Sequence, residues 1–326
     1  MRALTETEAF VSDRETIEIV LATYNGARFL PELLASLEKQ TDDNWRLLVR
    51  DDNSSDDTAG IIRAWSARFE GRLLLLEDGC GTLGASRNFA ELLFRSTALY
   101  VACCDQDDVW SPDRLELTRR ALAGSERDRG VETPTLVHTD LEVVDSNLRT
   151  IAPSLWRYQK LKPANSEDPG RAAVQNGVTG CTILMNRALL DLAMPIPAEA
   201  VMHDWWLAIV AAASGVVIGI PERTVRYRQH GGNELGAQGR DLLIIMRRVH
   251  RFLDPSELRE SVQVSSLQAR AFVQRFGQST PVGTNERLIA WSEILDQTWL
   301  SRRAQILRYW LFPTGVLRSL LTLIRL

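Results

Sequence analysis

Short apolar runs alternate with segments of helical pattern over the first 110 residues, and this alternation is the strongest constraint on the fold. The apolar runs and the helical segments between them lie in turn at 16–22, 28–40, 45–50, 56–69, 72–77, 84–96 and 98–104. Strand and helix alternating in units this short predict an α/β fold with a mostly parallel, doubly wound central sheet flanked by helices. We expect neither an ordinary NAD domain nor a P-loop enzyme, and no GxxxxGKS or GxxxxGKT sequence is present.

Polar residues follow three of the predicted strands. Thr23 follows the first strand, Asp52 the second and Asp105 the fourth. In an open α/β sheet, ligands bind outside the carboxyl ends of the strands. We therefore expect these three clusters, which come from separate parts of the chain, to converge on one crevice.

The fourth strand stops at the acidic sequence Asp105-Gln106-Asp107-Asp108. An extended backbone would point Asp105 and Asp107 to one side, where their carboxylates repel each other unless something neutralises them. A hard divalent cation with oxygen ligands, Mg²⁺ or Mn²⁺, is the usual remedy. The alternative is an acidic turn ahead of a helix that begins near Pro112 with Ser111 as its N-cap, which explains one acid and not three.

The pattern becomes irregular after Pro134. We expect strands at 136–144, 182–185 and 216–220, a helix at 203–213 and a loop-rich stretch at 151–171. The uncharged run 205–220 is short for a bilayer, and Gly215 splits it into a helix and a strand, so we do not interpret it as a membrane span.

Composition indicates a globular protein of a reducing compartment. With 326 residues, 45% hydrophobic and 25% charged, the chain can form one large domain or two modest ones. Its four cysteines form no CxxC pair, and Cys103 and Cys104 are adjacent in an apolar strand, so a structural zinc site is not expected. The N-terminal residues lack the basic and apolar regions of a signal peptide. We therefore expect a cytoplasmic protein.

Positive charge is concentrated towards the C-terminus. Residues 240–326 contain thirteen Arg and no Lys against seven acidic residues, a net charge of +6, while residues 1–239 carry −10. The basic part suits anionic lipid or phosphate. In a helix over 316–326, one face would carry Leu317, Leu320, Leu321 and Ile324 and the opposite face Arg318, Thr322 and Arg325. This pattern predicts an interfacial membrane helix, and equally a terminal helix packed on the domain.

Several stretches together resemble a known family. They lie at 21–26, 50–58, 105–110 and 203–206, with supporting pieces at 84–89 and 226–233. Their order and spacing resemble the family 2 glycosyltransferases of the GT-A fold, in particular the rhamnosyltransferase-like branch. The resemblance implies a polar segment at 1–15, a Rossmann-like GT-A domain at 16–239 with a nucleotide-binding half (16–110) and an acceptor and catalytic half (111–239), and a helical region at 240–326.

The resemblance also implies a nucleotide-sugar donor and assigns residues to it. These are Thr23, Tyr24, Asn25, Asp52, Arg87, Asp105, Gly180 and Arg228. The acid after the second strand can accept hydrogen bonds from a base or ribose, and the two arginines suit a diphosphate. Gly180 belongs to a segment that lines the sugar and acceptor pocket in the family, although a glycine turn there would serve equally as a connection.

A metal site and a catalytic base follow from the same resemblance. Asp107 matches the metal ligand of the family's DXD element, with Asp105 and Asp108 as secondary candidates, and His230 matches a histidine that some relatives use as a further ligand. The alternative for His230 is that it is an ordinary surface residue, as a lone histidine usually is. Asp204 matches the base that deprotonates the acceptor hydroxyl. The alternative for this aspartate is an N-cap of the helix that follows.

The expected function is an inverting, divalent-metal-dependent glycosyl transfer by direct displacement. The resemblance favours L-rhamnose from dTDP-rhamnose as donor and a lipid-linked cell-surface polysaccharide such as O-antigen as acceptor. The enzyme would act at the inner face of the cytoplasmic membrane, with peripheral contact through 303–326 and no nucleic-acid partner. The alternatives are a family 2 transferase with a UDP-hexose donor, a sugar-1-phosphate nucleotidyltransferase and a non-catalytic glycan-binding protein.

Overall fold

A mixed β-sheet lies at the centre of the computed structural model, which describes residues 15–230, 255–277, 282–314, 319 and 322–324. Its strands within these residues are β1 (Ile17–Thr23), β2 (Trp45–Asp51), β3 (Leu73–Leu75), β4 (Tyr100–Asp105), β5 (Val109–Trp110), β6 (Thr135–Asp145), β7 (Thr150–Ala152), β8 (Leu184–Asn186) and β9 (Val216–Gln229). The helices are α1 (Leu30–Leu37), α2 (Thr58–Arg68), α3 (Ala85–Arg95), α4 (Arg114–Arg129), α5 (Leu155–Gln159), α6 (Pro169–Val174), α7 (Arg187–Ala193), α8 (His203–Ser214), α9 (Pro255–Phe276), α10 (Val282–Ser292) and α11 (Trp299–Tyr309).

The first four strands form the parallel, alternating unit that the sequence predicts. They lie in the order β3-β2-β1-β4 and all pair in parallel, so their carboxyl ends share one edge of the sheet. β1 and β4 are uncharged or nearly so and almost fully buried, which is typical of strands covered by helices on both faces. The α/β fold class is confirmed.

Beyond β4 the sheet becomes mixed. β8 pairs antiparallel with both β4 and β6, β9 runs parallel to β6, and β5 and β7 add antiparallel edges. The strand expected at 216–220 runs on to Gln229, past Pro221. The pairing of β6 with β9 shifts register between Thr139 and Leu141, so the proline lies at a bulge where its missing N–H costs no ladder hydrogen bond.

Two other expectations need correction. The helix expected near Pro112 begins at Arg114 with Asp113 at its N-cap, so Ser111 does not cap it. The loop-rich stretch 151–171 contains most of β7, all of α5 and the start of α6.

Helices cover both faces of the sheet. One buried apolar cluster contains side chains of α3 and of α6 to α11, and the other contains side chains of α1, α2, α4 and α5. In the first cluster Trp206 of α8 packs against Phe272 and Phe276 of α9. The described part of 240–326 is therefore helical, and its first helices pack on the domain.

Some expectations lie outside the described residues: the polar segment 1–14, the glycines after His230 and most of the helix at 316–326. Of the last, Thr322 is buried and Ile324 is exposed. This is the reverse of a terminal helix that packs Ile324 on the domain, and it also disagrees with a solvated Thr322. Among the described residues, no helix is both long enough and apolar enough to cross a membrane.

Candidate active site

An open cavity of about 340 Å³ lies at the carboxyl ends of β1, β2 and β4. The predicted site residues that line it are Thr23, Tyr24, Asp52, Asp105, Asp107 and His230. The expected convergence of three strand-end clusters on one crevice is thus observed.

The turn after β1 is tied to the turn after β4. The backbone N–H of Tyr24 donates to Oε1 of Gln106 (2.9 Å), and Nε2 of Gln106 donates back to the Tyr24 carbonyl (2.9 Å). The Tyr24 ring remains exposed at the cavity. Asn25 does not line the cavity, because its side-chain oxygen accepts the Ser55 N–H in a turn where Asn25 has a φ of 48°. Asn25 therefore stabilises the conformation of the turn without facing the cavity.

Asp52 holds a loop at the cavity wall. Its carboxylate accepts the backbone N–H groups of Leu83 (2.7 Å) and Gly84 (2.8 Å), which precede α3. Nη1 of the buried Arg50 donates to the same carboxylate (2.7 Å), while Nε and Nη2 of Arg50 bind Asp78. Asp52 is thus already hydrogen-bonded within the protein, although it faces the cavity.

The loop that Asp52 holds has the spacing Gly-x-Gly-x-x-Gly at Gly79, Gly81 and Gly84, and all three glycines have positive φ. This spacing matches a dinucleotide-binding fingerprint, but it follows the third strand, whereas in a dinucleotide fold the fingerprint follows the first. The pattern is present in this chain, and its position after the third strand is what distinguishes the chain from an ordinary NAD domain.

Arg87 lies on the first turn of α3, is exposed and does not line the cavity. The next residue, Asn88, does line it, together with Ala85 and Phe89. The sequence reasoning missed Asn88. The i, i+3, i+4 spacing of these three residues was the available signal, because residues so spaced share one face of a helix.

The acidic cluster is arranged differently from the expected alternation. β4 ends at Asp105 and a turn follows at 106–107, so Asp105 and Asp107 do not alternate along an extended strand, although both reach the cavity. Oδ2 of Asp107 lies 2.8 Å from Nε2 of His230. Asp107 and His230, which are 123 residues apart in sequence, form a pair that lines the cavity.

A second group lies deeper. One ligand atom each of Asp105, Asp108 and Cys181 lies within 4.8 Å of the others, and Oδ2 of the buried Asp108 has no hydrogen-bond partner in the described part of the chain. Burial, then the charge of Asp107, raises the pKa of Asp105 to about 7, and the same causes raise the pKa of Asp108 well above its usual value. Carboxylates that resist ionisation and an unpartnered oxygen fit a site that binds a divalent cation.

Asp204 lies on the first turn of α8, whose N-cap is Met202, so the alternative of an N-cap aspartate is not borne out. Its carboxylate accepts the N–H groups of Trp205 (2.6 Å) and Gly180 (3.0 Å). Burial raises the pKa of Asp204 to about 6 despite these hydrogen bonds. Asp204 is not among the lining residues, but Met202 is, and the charge of Asp204 helps to raise the pKa of Asp105. The carboxylate therefore lies beside the cavity.

Gly180 packs closely against the start of α8. A Cβ at this position would lie 3.1 Å from Nε2 of His203 and 3.5 Å from Cβ of Asp204. His203 is buried, stacks on Phe89 (ring centroids 4.0 Å apart) and has its pKa lowered to about 3 by burial. The absence of a side chain at position 180 thus lets a backbone N–H reach the Asp204 carboxylate.

Arg228 does not line the cavity. It is buried, and its guanidinium donates to the carbonyls of Asp107 (2.8 Å) and Ser146 (2.7 Å) and to Glu32 (2.6 Å). Its backbone N–H donates to Asp108 (3.1 Å). In this structure Arg228 supports the acidic turn rather than presenting its charge to a ligand.

The structure thus has an α/β fold with a cavity and clustered carboxylates at one edge of its sheet, and comparison with known proteins identifies the class. The family model described as "Glycosyl transferase family 2" matches residues 18–183, just over half of the chain. The chain belongs to this family and is a glycosyltransferase.

Two characterised relatives differ in donor. The chain is similar to the dTDP-rhamnosyl transferase RfbG of Shigella flexneri, with 26% identity over 67% of this chain and 74% of the relative. It is also similar to WfgD of Escherichia coli, described as a UDP-Glc:alpha-D-GlcNAc-diphosphoundecaprenol beta-1,3-glucosyltransferase, with 28% identity over 55% of this chain and 63% of the relative.

Solved structures confirm the GT-A fold. Staphylococcus aureus TarS 1-349 in complex with UDP-GlcNAc has a TM-score of 0.55 at 14% identity, covering 90% of this chain and 79% of the TarS 1-349 chain. The mannosyltransferase PcManGT of Pyrobaculum calidifontis in complex with GDP-Man and Mn²⁺ has a TM-score of 0.53 at 18% identity, covering 90% of this chain and 85% of that protein.

Proposed function

We propose that the protein transfers one sugar, with inversion, from a nucleotide-diphosphate sugar to a hydroxyl of a lipid-linked cell-surface glycan. The observation that carries the proposal is the position of Asp204. A carboxylate with a pKa of about 6 lies beside a cavity that the Asp107–His230 pair lines. Such a carboxylate is ionised at neutral pH and still basic enough to accept a proton.

Asp204 acts as the general base. It takes the proton of the acceptor hydroxyl while the hydroxyl oxygen attacks the anomeric carbon, and the bond to the nucleoside diphosphate breaks in the same displacement. No covalent intermediate with the protein forms. The hydrogen bonds from Gly180 and Trp205 fix the orientation of the carboxylate.

Asp107 and His230 would hold Mg²⁺ or Mn²⁺, with Asp105 and Asp108 beside them. When bound, such a cation supplies charge that stabilises the departing diphosphate. These side chains fit such a metal site, because carboxylate oxygens suit both ions and an imidazole suits Mn²⁺. In support, PcManGT binds Mn²⁺ together with its donor.

The donor occupies the cavity between the turn after β1 and the loop 78–84. Thr23, Tyr24 and the Asp52-held loop contact the nucleotide, while Asn25 acts through the shape of its turn. We favour dTDP-rhamnose, since RfbG is a dTDP-rhamnosyl transferase. A UDP-hexose is the second candidate, since WfgD uses UDP-Glc. Arg87 and Arg228 do not line the cavity, so their contact with the diphosphate requires a change of conformation on donor binding.

A lipid-linked acceptor is the natural second substrate, because WfgD acts on a diphosphoundecaprenol-linked sugar. The enzyme then works at the cytoplasmic face of the membrane. A nucleotidyltransferase is less well supported, because the turn Thr23–Gly26 contains neither Arg nor Lys. A non-catalytic glycan-binding protein would not need the Asp204 arrangement.

The test is the melting temperature of the full chain with dTDP, UDP and GDP and their sugars, each with and without Mn²⁺. A ligand at about 100 times its Kd stabilises the native state by roughly 2.7 kcal/mol, which moves the melting point by several degrees. We expect a Mn²⁺-dependent shift with dTDP-rhamnose, and Asp107→Asn should lose its metal-dependent part. A shift with UDP-sugars alone would exclude rhamnose, and no shift with any nucleotide would contradict the proposal.

A further inference from the structure

Helix α11 exposes an apolar stripe. Leu300 is 72% and Leu307 52% exposed, and Ala304 between them is exposed too. The spacing i, i+4, i+7 places these three residues on one face of the helix, while Ile306 on another face is fully buried in the core. A surface helix usually has an apolar face inward and a polar face in water. Helix α11 has an apolar residue in the core and a second apolar face in water.

Aromatic side chains lie at both ends of this stripe. Trp299 at the first turn is 60% exposed, and Trp310, which caps the helix in a left-handed conformation, is 59% exposed. Ile324 lies alongside, because Arg303 of the helix donates to its carbonyl, and it is exposed as well. We call Trp299, Leu300, Leu307, Trp310 and Ile324 the α11 surface.

Positive charge from Arg303 and Arg308 lies beside the α11 surface. The guanidinium of Arg303 lies 3.6 Å from the centroid of the Trp299 ring, and Arg308 is exposed beside Leu307. In sequence, residues 297–326 contain five Arg and no Asp, Glu or Lys. A second copy of this chain would have to bring two such basic surfaces together, which like-charge repulsion opposes. Free phosphate or nucleic acid would satisfy the arginines and leave the leucines and tryptophans in water.

We propose that the α11 surface binds an anionic lipid bilayer. Leu300, Leu307 and Ile324 would enter the boundary between headgroups and acyl chains, the two tryptophans would lie at headgroup level, and the arginines would contact anionic headgroups. The inference rests on the proposed function in one respect: a lipid-linked acceptor lies in a membrane, which gives the enzyme a reason to bind one. Its physical argument does not involve the donor.

The experiment is co-sedimentation of the full chain with vesicles of phosphatidylcholine alone and of phosphatidylcholine with phosphatidylglycerol, at low and high salt. We expect binding only to the anionic vesicles, and weaker binding at high salt because the attraction of exposed charges is screened. Leu300→Ser with Leu307→Ser should reduce the partition coefficient at least about tenfold, since two buried leucines contribute more than one decade of affinity.

The matched control is Phe94→Ser, which removes a side chain of similar exposure (62%) from α3. It should leave vesicle binding unchanged. Circular dichroism and the nucleotide-induced melting shift check that the double variant is folded and binds the donor as the wild type does. If that shift is present in both proteins but vesicle binding is equal, the inference fails while the proposed function stands.

Two further outcomes would overturn the inference. Equal binding to neutral and anionic vesicles would remove the role of the arginines. A wild-type protein that is dimeric in light scattering, with a monomeric Leu300→Ser/Leu307→Ser variant and no vesicle binding in either, would assign the α11 surface to self-association. Loss of the nucleotide shift in the wild type would instead refute the proposed function and leave the lipid inference intact.

Discussion

At the residue scale, the proposed chemistry depends on a single glycine and a single carboxylate. Gly180 can approach α8 because it has no Cβ, and its N–H then orients the Asp204 carboxylate. Burial raises the pKa of Asp204 above its usual 3.8, and two backbone N–H groups prevent a larger rise. The balance leaves the pKa at about 6, below neutral pH but close enough for proton acceptance.

Asp204→Asn should therefore abolish most of the sugar transfer. Removing a general base typically costs about 10²- to 10⁴-fold in rate, and the donor should still bind because Asp204 does not line the donor cavity. In the wild type the carboxylate becomes protonated as the pH falls through about 6, so kcat/KM should decrease about tenfold per pH unit below that value.

Initial-rate measurements across pH 5 to 9, together with donor-induced melting shifts, test this expectation. Asp191→Asn is the control, since Asp191 is an exposed residue of α7 in an i, i+4 ion pair with Arg187. A variant Asp204→Asn that keeps the wild-type rate and pH profile would assign the base to another residue.

At the element scale, the sequence predicted the strands and helices whose type follows from the residue pattern within a single segment. The three β-α units before β4, β4 itself and helix α8 follow from periodicity within each segment, and their type was confirmed. The extension of β9 to Gln229 and the antiparallel position of β8 depend on pairing with β6, a distant part of the chain. Such pairing leaves no periodic signal, and the bulge that accommodates Pro221 is not visible in the sequence of one strand alone.

The loop 78–84 is an element whose shape depends on one arginine. Arg50 is buried, donates through two nitrogens to Asp78, and also binds Asp52, Asn88 and the Gly81 carbonyl. A lysine cannot reproduce this fork of donors. Arg50→Lys should raise the donor KM about tenfold and change kcat less than about threefold. The reason is that losing the Arg50 hydrogen bonds should weaken donor binding by roughly 1.5 kcal/mol in the ground state and the transition state alike.

Steady-state kinetics with varied donor concentration separate the two parameters. Arg68→Lys provides the control, because Arg68 is exposed on α2 and its ion pair with Glu38, which follows α1, contributes little. A variant Arg50→Lys that lowers kcat with an unchanged KM would show that the loop serves the chemical step instead of donor binding.

At the scale of the whole molecule, the sequence predicted which strand ends meet at the cavity better than which way individual side chains point. Strand ends and topology sufficed for Thr23, Asp52 and the acidic cluster, because parallel strands deliver their carboxyl ends to one edge. Roles that depend on side-chain direction were not accessible. Arg87 points away while Asn88 faces the cavity, and Arg228 is used inside the protein.

Arg228 connects parts of the chain that lie far apart in sequence. Through it, β9 is joined to Glu32 of α1 at a separation of 196 residues, to the acidic turn at 121 and to the turn after β6 at 82. Its guanidinium also lies 4.4 Å from the centroid of the Phe29 ring, which in turn lies 4.7 Å from the ring of His230. The Asp107–His230 pair thus depends on a contact network that closes only when the whole domain has folded.

Arg228→Met should lower the free energy of unfolding by about 2–4 kcal/mol, because it leaves the buried carbonyl of Asp107 and the half-buried carbonyl of Ser146 without their donor. It should also weaken the metal-dependent part of the nucleotide melting shift, since the turn that carries Asp107 is no longer held. Glu32→Gln is the matched control: the Glu32 side chain is half exposed and glutamine keeps an oxygen that can accept from Nη2 of Arg228, so this change should cost less stability than Arg228→Met and leave the metal dependence unchanged. Urea unfolding and melting curves with and without Mn²⁺ measure both effects. If Arg228→Met lost stability but kept the full metal-dependent shift, Arg228 would support the fold alone and the geometry of the Asp107–His230 pair would be fixed by β9 without it.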